Sequence, residues 1–153
     1  MSTISLLRWF VAAIHLLALG LGLGTIWSRS RALKGLPDPK NLQRAIYADT
    51  LWGIAALLWI TTGLARAFAG LEKGSAYYLG SNAFWLKMIL LGLVLLLEVW
   101  PMVTLIGWRI QLSHGETINT QHASRFAQIS VVQTALVVAM VFAATAMARG
   151  LGV

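Results

Sequence analysis

The chain alternates between long apolar blocks and short polar stretches, and the blocks fall at about residues 4–27, 47–68, 83–107 and 125–148. Each is about twenty residues or longer, enough for an α-helix to cross a hydrocarbon core of roughly 30 Å. The pattern predicts an all-α protein, an integral membrane four-helix bundle with short loops, in which residues 1–153 form a single transmembrane domain. The polar stretches end the blocks for identifiable reasons. Ser28 to Lys40 combines charge, glycine and two prolines, and Gly70-Leu71-Glu72-Lys73-Gly74-Ser75 combines turn formers with charge. Tyr77, Tyr78, Phe84 and Trp85 mark an aromatic belt at one membrane face, and Arg109 to Ser124 forms a polar third loop. Pro101 removes one backbone donor near the far end of the third block.

Composition agrees with lipid as the solvent: 58% of residues are hydrophobic and 11% charged, with a mean hydropathy of +0.74. The first block has no basic segment before Arg8 and no small-residue cleavage site ahead of Ser28, so it reads as a retained helix rather than a cleaved signal. Twelve Lys and Arg against five Asp and Glu give a net charge of +7. In a membrane protein this excess reports loop orientation and contact with anionic lipid rather than nucleic-acid binding. Loops one and three hold Arg29, Arg31, Lys34, Lys40, Arg44, Arg109 and Arg125, against Arg8, Arg66, Lys73 and Arg149 on the opposite side. The bias puts loops one and three in the cytoplasm and both termini on the outer face of a bacterial inner membrane, as a multi-pass protein. The absence of cysteine excludes disulfides, iron–sulfur sites and thiolate nucleophiles.

Ionisable groups at membrane depth are costly, roughly 2.5 to 3.5 kcal/mol each on insertion scales, and therefore carry the functional signal. His15 lies about ten residues into the first block, roughly 15 Å deep, and is the one deep histidine. Arg8, His15 and Gly22 recur at heptad spacing, with small residues between, which leaves room either for a flat ligand beside the imidazole or for a neighbouring helix. Trp52, Trp59 and Arg66 repeat every seven residues on one face of the second block, an aromatic stripe ending in a cation that suits a porphyrin or quinone ring or simple helix packing. Lys87 and Glu98 are eleven residues apart on one side of the third block, about 16 Å apart along the axis. They are candidates for holding an elongated ligand or relaying protons, with Arg109, Arg44 or Arg31 as structural partners for Glu98. Asp49 is placed at the start of the second helix, where a carboxylate is favoured by the helix dipole.

Zinc, phosphate-loop and hydrolase motifs are absent; His114 and His122 in the third loop have no partner at metal-site spacing. Met88, Met102, Met140 and Met147 form no clustered copper motif.

The strings His15-Leu16-Leu17-Ala18-Leu19-Gly20, Tyr47-Ala48-Asp49-Thr50-Leu51-Trp52-Gly53, Phe84-Trp85-Leu86-Lys87-Met88 and Leu97-Glu98-Val99-Trp100-Pro101-Met102 resemble a family of small four-helix bacterial inner-membrane proteins over residues 8 to about 110. More distantly, a histidine in helix one, a basic loop, and Trp-Leu-Lys opening helix three are similar to HemJ-type protoporphyrinogen oxidases and CopD-like membrane domains. That resemblance implies haem b as cofactor, His15 as axial iron ligand, and Lys87 as partner of a porphyrin carboxylate or as second axial group. The resulting expectation is a haem b-binding inner-membrane protein with a redox or porphyrin-related role and, if an enzyme, an oxidoreductase of the protoporphyrinogen oxidase type. His15 is the metal ligand, with Lys87, Arg66, Trp52 and Trp59 around the cofactor and Lys87, Glu98 and Asp49 as catalytic candidates. With one deep histidine per chain, bis-histidine ligation requires a loop histidine or a homo-oligomer. The alternative is a non-enzymatic membrane component, a small transporter or assembly subunit, using Asp49, Lys87 and Glu98 for packing or proton movement.

Overall fold

A computed structural model describes residues 2–151. Among them are four long helices, α1 (Thr3–Lys34), α2 (Pro39–Phe68), α4 (Asn82–Ser113) and α5 (Ala123–Ala148), a short helix α3 (Ser75–Leu79), and no strand. All four long helices are long and apolar enough to cross a membrane. Their outward faces carry exposed leucines, isoleucines and tryptophans such as Leu17, Leu57, Leu96 and Phe142, so the bundle contacts the lipid bilayer.

Helix boundaries differ from the apolar blocks. A 32-residue helix is about 48 Å long, well beyond a hydrocarbon core of about 30 Å, so the helices continue into the polar stretches. At the end that carries loops one and three, α1 runs seven residues past Trp27 and α4 six past Gly107. The loop expected from Ser28 to Lys40 shrinks to the few residues between Lys34 and Pro39. Asp38 caps α2 by accepting from the Lys40 amide, with Pro39 in the first turn, where its missing N–H costs nothing. Asp49 is therefore no cap: it lies well inside α2, and its carboxylate has another use. Ser2 and Ser81 cap α1 and α4 in the same way as Asp38 caps α2. α4 passes through Pro101 as one helix.

The bundle closes along seams with a three-and-four spacing. The inward residues of α1 include His15, Ala18, Gly22, Thr25, Arg29 and Ala32, those of α4 Val94, Glu98, Pro101, Leu105 and Trp108, and those of α5 Phe126, Ser130, Gln133, Val137 and Met140. This 3.5-residue period is that of left-handed packing, with each side chain set between those of the facing helix. Ala45, Ala48 and Ala55 on α2 let α1 come close. A Cβ on Gly22 would sit 3.1 Å from the Trp52 ring, so the missing side chain there makes the place into which Trp52 packs. α1 packs mainly on α2 and α5, and α5 on α4, whereas α2 and α4 meet sparsely.

Candidate functional site

Polar side chains inside the bundle form two separate groups. The first lies in the half nearer loops one and three. Arg29, fully buried at 0% exposure, is placed on the seam of α1 by the same heptad as His15 and Gly22. Its Nη1 donates to Asp49 Oδ1 at 2.8 Å and Glu98 Oε1 at 2.6 Å; Nη2 donates to Glu98 Oε2 at 2.8 Å and Gln133 Oε1 at 2.9 Å; Nε donates to Ser130 Oγ at 3.1 Å. All five guanidinium donors are thereby used. Gln133 Nε2 returns a bond to Glu98 Oε2 at 2.7 Å, and Arg109 Nη2 binds the other Asp49 oxygen at 2.7 Å. Two cations face two carboxylates, and every spanning helix contributes at least one side chain. Glu98 is thus neutralised by Arg29, not by Arg31, Arg44 or Arg109.

The second group lines a cavity of about 340 Å³ in the half nearer loop two. Here the structure brings together His15 from α1, Trp59 and Arg66 from α2, and Lys87 from α4. Trp52 is elsewhere, buried against Gly22, and Asp49 and Glu98 belong to the Arg29 group. Lys87 and Glu98 share a side of α4 but serve different sites. His122 stacks with Trp100 and Phe126 at the loop-three end of the bundle, away from the cavity.

Hydrogen bonding assigns the tautomer of His15. Thr62 has one hydroxyl proton, which goes to the carbonyl of Leu58 or Trp59, so its oxygen accepts from His15 Nδ1–H at 2.9 Å. Nε2 then keeps its lone pair and has no partner among the described residues. Gly63 makes room for the ring: a Cβ there would lie 3.2 Å from His15 Cε1. Trp59 flanks the imidazole with ring centroids 5.9 Å apart, and its buried Nε1 has no acceptor among the described residues.

The remaining walls are apolar and aromatic, including Tyr78, Phe84, Met88 and Met140. Charge in the cavity is unbalanced. Arg66, Lys73 and Lys87 line it with a single carboxylate, Glu72. Glu72 pairs with Arg66 at 3.1 Å, and Lys73 donates to Tyr77 Oη and sits 4.4 Å from its ring centroid. Lys87 has no hydrogen bond or ion pair among the described residues. Burial, reinforced by the neighbouring Glu72, pushes the Tyr78 phenol up from its usual range, so it stays neutral and adds no anion.

The donor types are those that haem b takes: an imidazole nitrogen with a hydroxyl behind the ring, one cation without a counter-ion among the described residues, Lys87, and a second, Arg66, that is already paired with Glu72. Sequence reasoning missed Arg29, Gln133, Ser130 and Thr62. Arg29 was assigned to a loop because its neighbours are polar, although the series Arg8, His15, Gly22 extends to it by one more heptad.

A family model described as predicted membrane protein (DUF2214) matches residues 7–152. No curated protein and no solved structure matches the chain, so the distant likeness to HemJ-type and CopD-like proteins gains no support from these comparisons.

Proposed function

The chain belongs to the DUF2214 family of predicted membrane proteins, and on that premise we propose that it is a haem b-binding protein of the bacterial inner membrane with a redox or porphyrin-related role. The observation carrying this reading is His15 in the wall of a largely apolar cavity, with Nδ1 2.9 Å from the Thr62 hydroxyl and Nε2 without a partner among the described residues. Bound there, haem would supply one-electron chemistry. The chain's own residues do the rest. His15 would hold the iron, Thr62 would orient its ring, Lys87 and Arg66 would meet the carboxylates, and the aromatic walls would exclude water. Among the described residues no second histidine lines the cavity. Asp49 and Glu98, engaged with Arg29, serve assembly of the bundle and not chemistry. Excess Lys and Arg beside loops one and three supports a cytoplasmic position for these loops, and withdrawing Arg29 and Arg109 from the count leaves the bias in the same direction.

Protein purified in detergent from haem-replete cells is expected to show a Soret band that His15→Ala abolishes while the variant remains monodisperse. Colourless wild-type protein, or a band unchanged in His15→Ala, overturns the reading. The sparse contact between α2 and α4 favours one rival, a small transporter for anionic amphiphiles that enter sideways from the bilayer. Colourless protein whose cavity still prefers anions selects it.

A further inference from the structure

The cavity carries its own carboxylate. Arg66 stands at the end of α2 and Glu72 on the turn that follows, where Gly70 (φ +68°) and Gly74 (φ +87°) adopt a left-handed backbone. The Glu72 carboxylate meets Arg66 through both Nη2, at 3.1 Å, and Nε, at 3.2 Å. Both side chains line the same cavity as Lys87 and His15, and both remain about 30% exposed, at its rim rather than in its floor. One more bond holds the turn, with Arg8 Nη2 donating to the Gly70 carbonyl at 3.2 Å, and one holds α3 behind it, with Tyr77 Oη donating to the Met147 carbonyl at 2.9 Å.

One feature beyond the ion pair points to a ligand. Among the described residues Lys87 is a cation without a counter-ion, beside the unpaired indole N–H of Trp59. A site that only filled space would have either neutralised that charge or replaced it with an apolar group. Arg66, by contrast, is satisfied, and satisfied by a group that can leave, because a half-exposed ion pair is worth little and exchanges readily.

We propose that Glu72 is a resident stand-in for the anionic end of the ligand: it holds Arg66 while the cavity is free and is displaced when a carboxylate, or another anionic group on an apolar body, enters beside Lys87. Exchange conserves charge, with one anion leaving Arg66 as another arrives, and it releases the turn between Gly70 and Gly74 from its tie to α2. The ligand class follows: a lipid-soluble molecule with at least one anionic group, taken in preference to its neutral counterpart. The inference deepens the haem reading and rests on it for the identity of the ligand, but the anion preference belongs to the cavity and is measurable without haem.

Because the chain lacks cysteine, Ala144→Cys places a single thiol in the cavity wall, with Thr145→Cys as a second reporter if the first variant is unstable. In the full-length protein, labelling rates are measured with an anionic sulfonatoethyl methanethiosulfonate and a neutral methanethiosulfonate of similar size. Their ratio cancels any change in ionisation of the thiol. The anionic reagent is expected to react about tenfold faster than the neutral one, as clefts lined by one sign of charge concentrate the other. Glu72→Gln raises the anionic rate severalfold further and leaves the neutral rate alone, and Lys87→Gln removes most of the preference. Equal rates for the two reagents in the parent, no labelling at either position, or a ratio indifferent to Glu72→Gln overturns the proposal. Titration with hemin and with its dimethyl ester separates the two readings. If hemin fails to bind while the labelling preference holds, the haem assignment falls and the stand-in role of Glu72 survives. If hemin binds and Glu72→Gln fails to tighten it relative to the ester, the stand-in role falls and the haem assignment survives.

Discussion

All five donors of Arg29 have acceptors and two carboxylates answer two cations, with Arg109 Nε the one buried donor of that group left unpaired among the described residues; around His15, in the other half of the same bundle, a ring nitrogen, an indole N–H and an ammonium have no partner among the described residues. The two regions share helix faces, with His15 and Arg29 on one seam of α1 and Lys87 and Glu98 on one side of α4. Arg29 is in fact the more deeply buried, so depth is not what separates them. A closed network joins α1, α2, α4 and α5 through directional bonds, and in lipid such bonds replace the hydrophobic drive that water would supply between helices. Open valences in a cavity do the opposite: they cost stability in the empty protein and gain it back only with a ligand. The comparison teaches that burial of a charged group in a membrane bundle is not itself a sign of function; a buried charge without a counter-charge is.

If this distinction is right, substitutions in the two regions have opposite signatures. Arg29→Met strands Glu98 and half of Asp49 and is expected to destabilise the bundle by about 3–5 kcal/mol, read as a large fall in thermal midpoint in detergent. Arg29→Met combined with Glu98→Met removes both sides of the main pair and recovers a good part of that loss, whereas additive losses would mean that packing rather than charge matching governs the site. Next in size, Thr62→Val removes the acceptor that fixes the His15 tautomer and is expected to weaken haem binding about tenfold, or about 1.4 kcal/mol, without lowering the thermal midpoint of the haem-free protein. Equal affinity in this variant would show that the ring is positioned by Gly63 and Trp59 alone. The smallest effect runs the other way. Lys87→Met replaces an unpaired cation with an apolar chain of similar length and is expected to stabilise the haem-free bundle by about 1 kcal/mol while lowering its affinity for anionic ligands. A destabilised Lys87→Met would place Lys87 in the structural network and erase the contrast between the two halves.

Reading the sequence without coordinates located both regions unequally. Trp59, Arg66 and Lys87 stand out because charge and large aromatics are conspicuous in apolar blocks, and His15 because no other histidine lies deep. Arg29 does not, since Ser28, Ser30 and Arg31 surround it with residues typical of a loop. Only the continuation of the Arg8, His15, Gly22 spacing distinguishes it from its neighbours. Asp49 is misplaced for a related reason: apolar character sets the helix start at about residue 47, yet α2 begins eight residues earlier, at Pro39, behind an Asp38 cap. Apolar blocks measure the thickness of the hydrocarbon, whereas caps and prolines mark the ends of helices, and in this protein the two do not coincide.

Periodicity and hydropathy by themselves determined that the chain is helical, that four segments are long and apolar enough to cross the membrane, and that His15, Trp59 and Lys87 share the inward faces of their helices, because these properties are local: each depends on a residue and its neighbours within a turn or two. Which inward residues meet was decided by tertiary structure alone. Arg29 pairs with Glu98 across 69 positions and binds Gln133 across 104, while Lys87, eleven residues from Glu98 on the same helix face, opens onto a different site. A pattern of 3.5 residues sets the face of a helix but not its height against another helix, and it is the relative height of four helices that closes one polar group and leaves the other open.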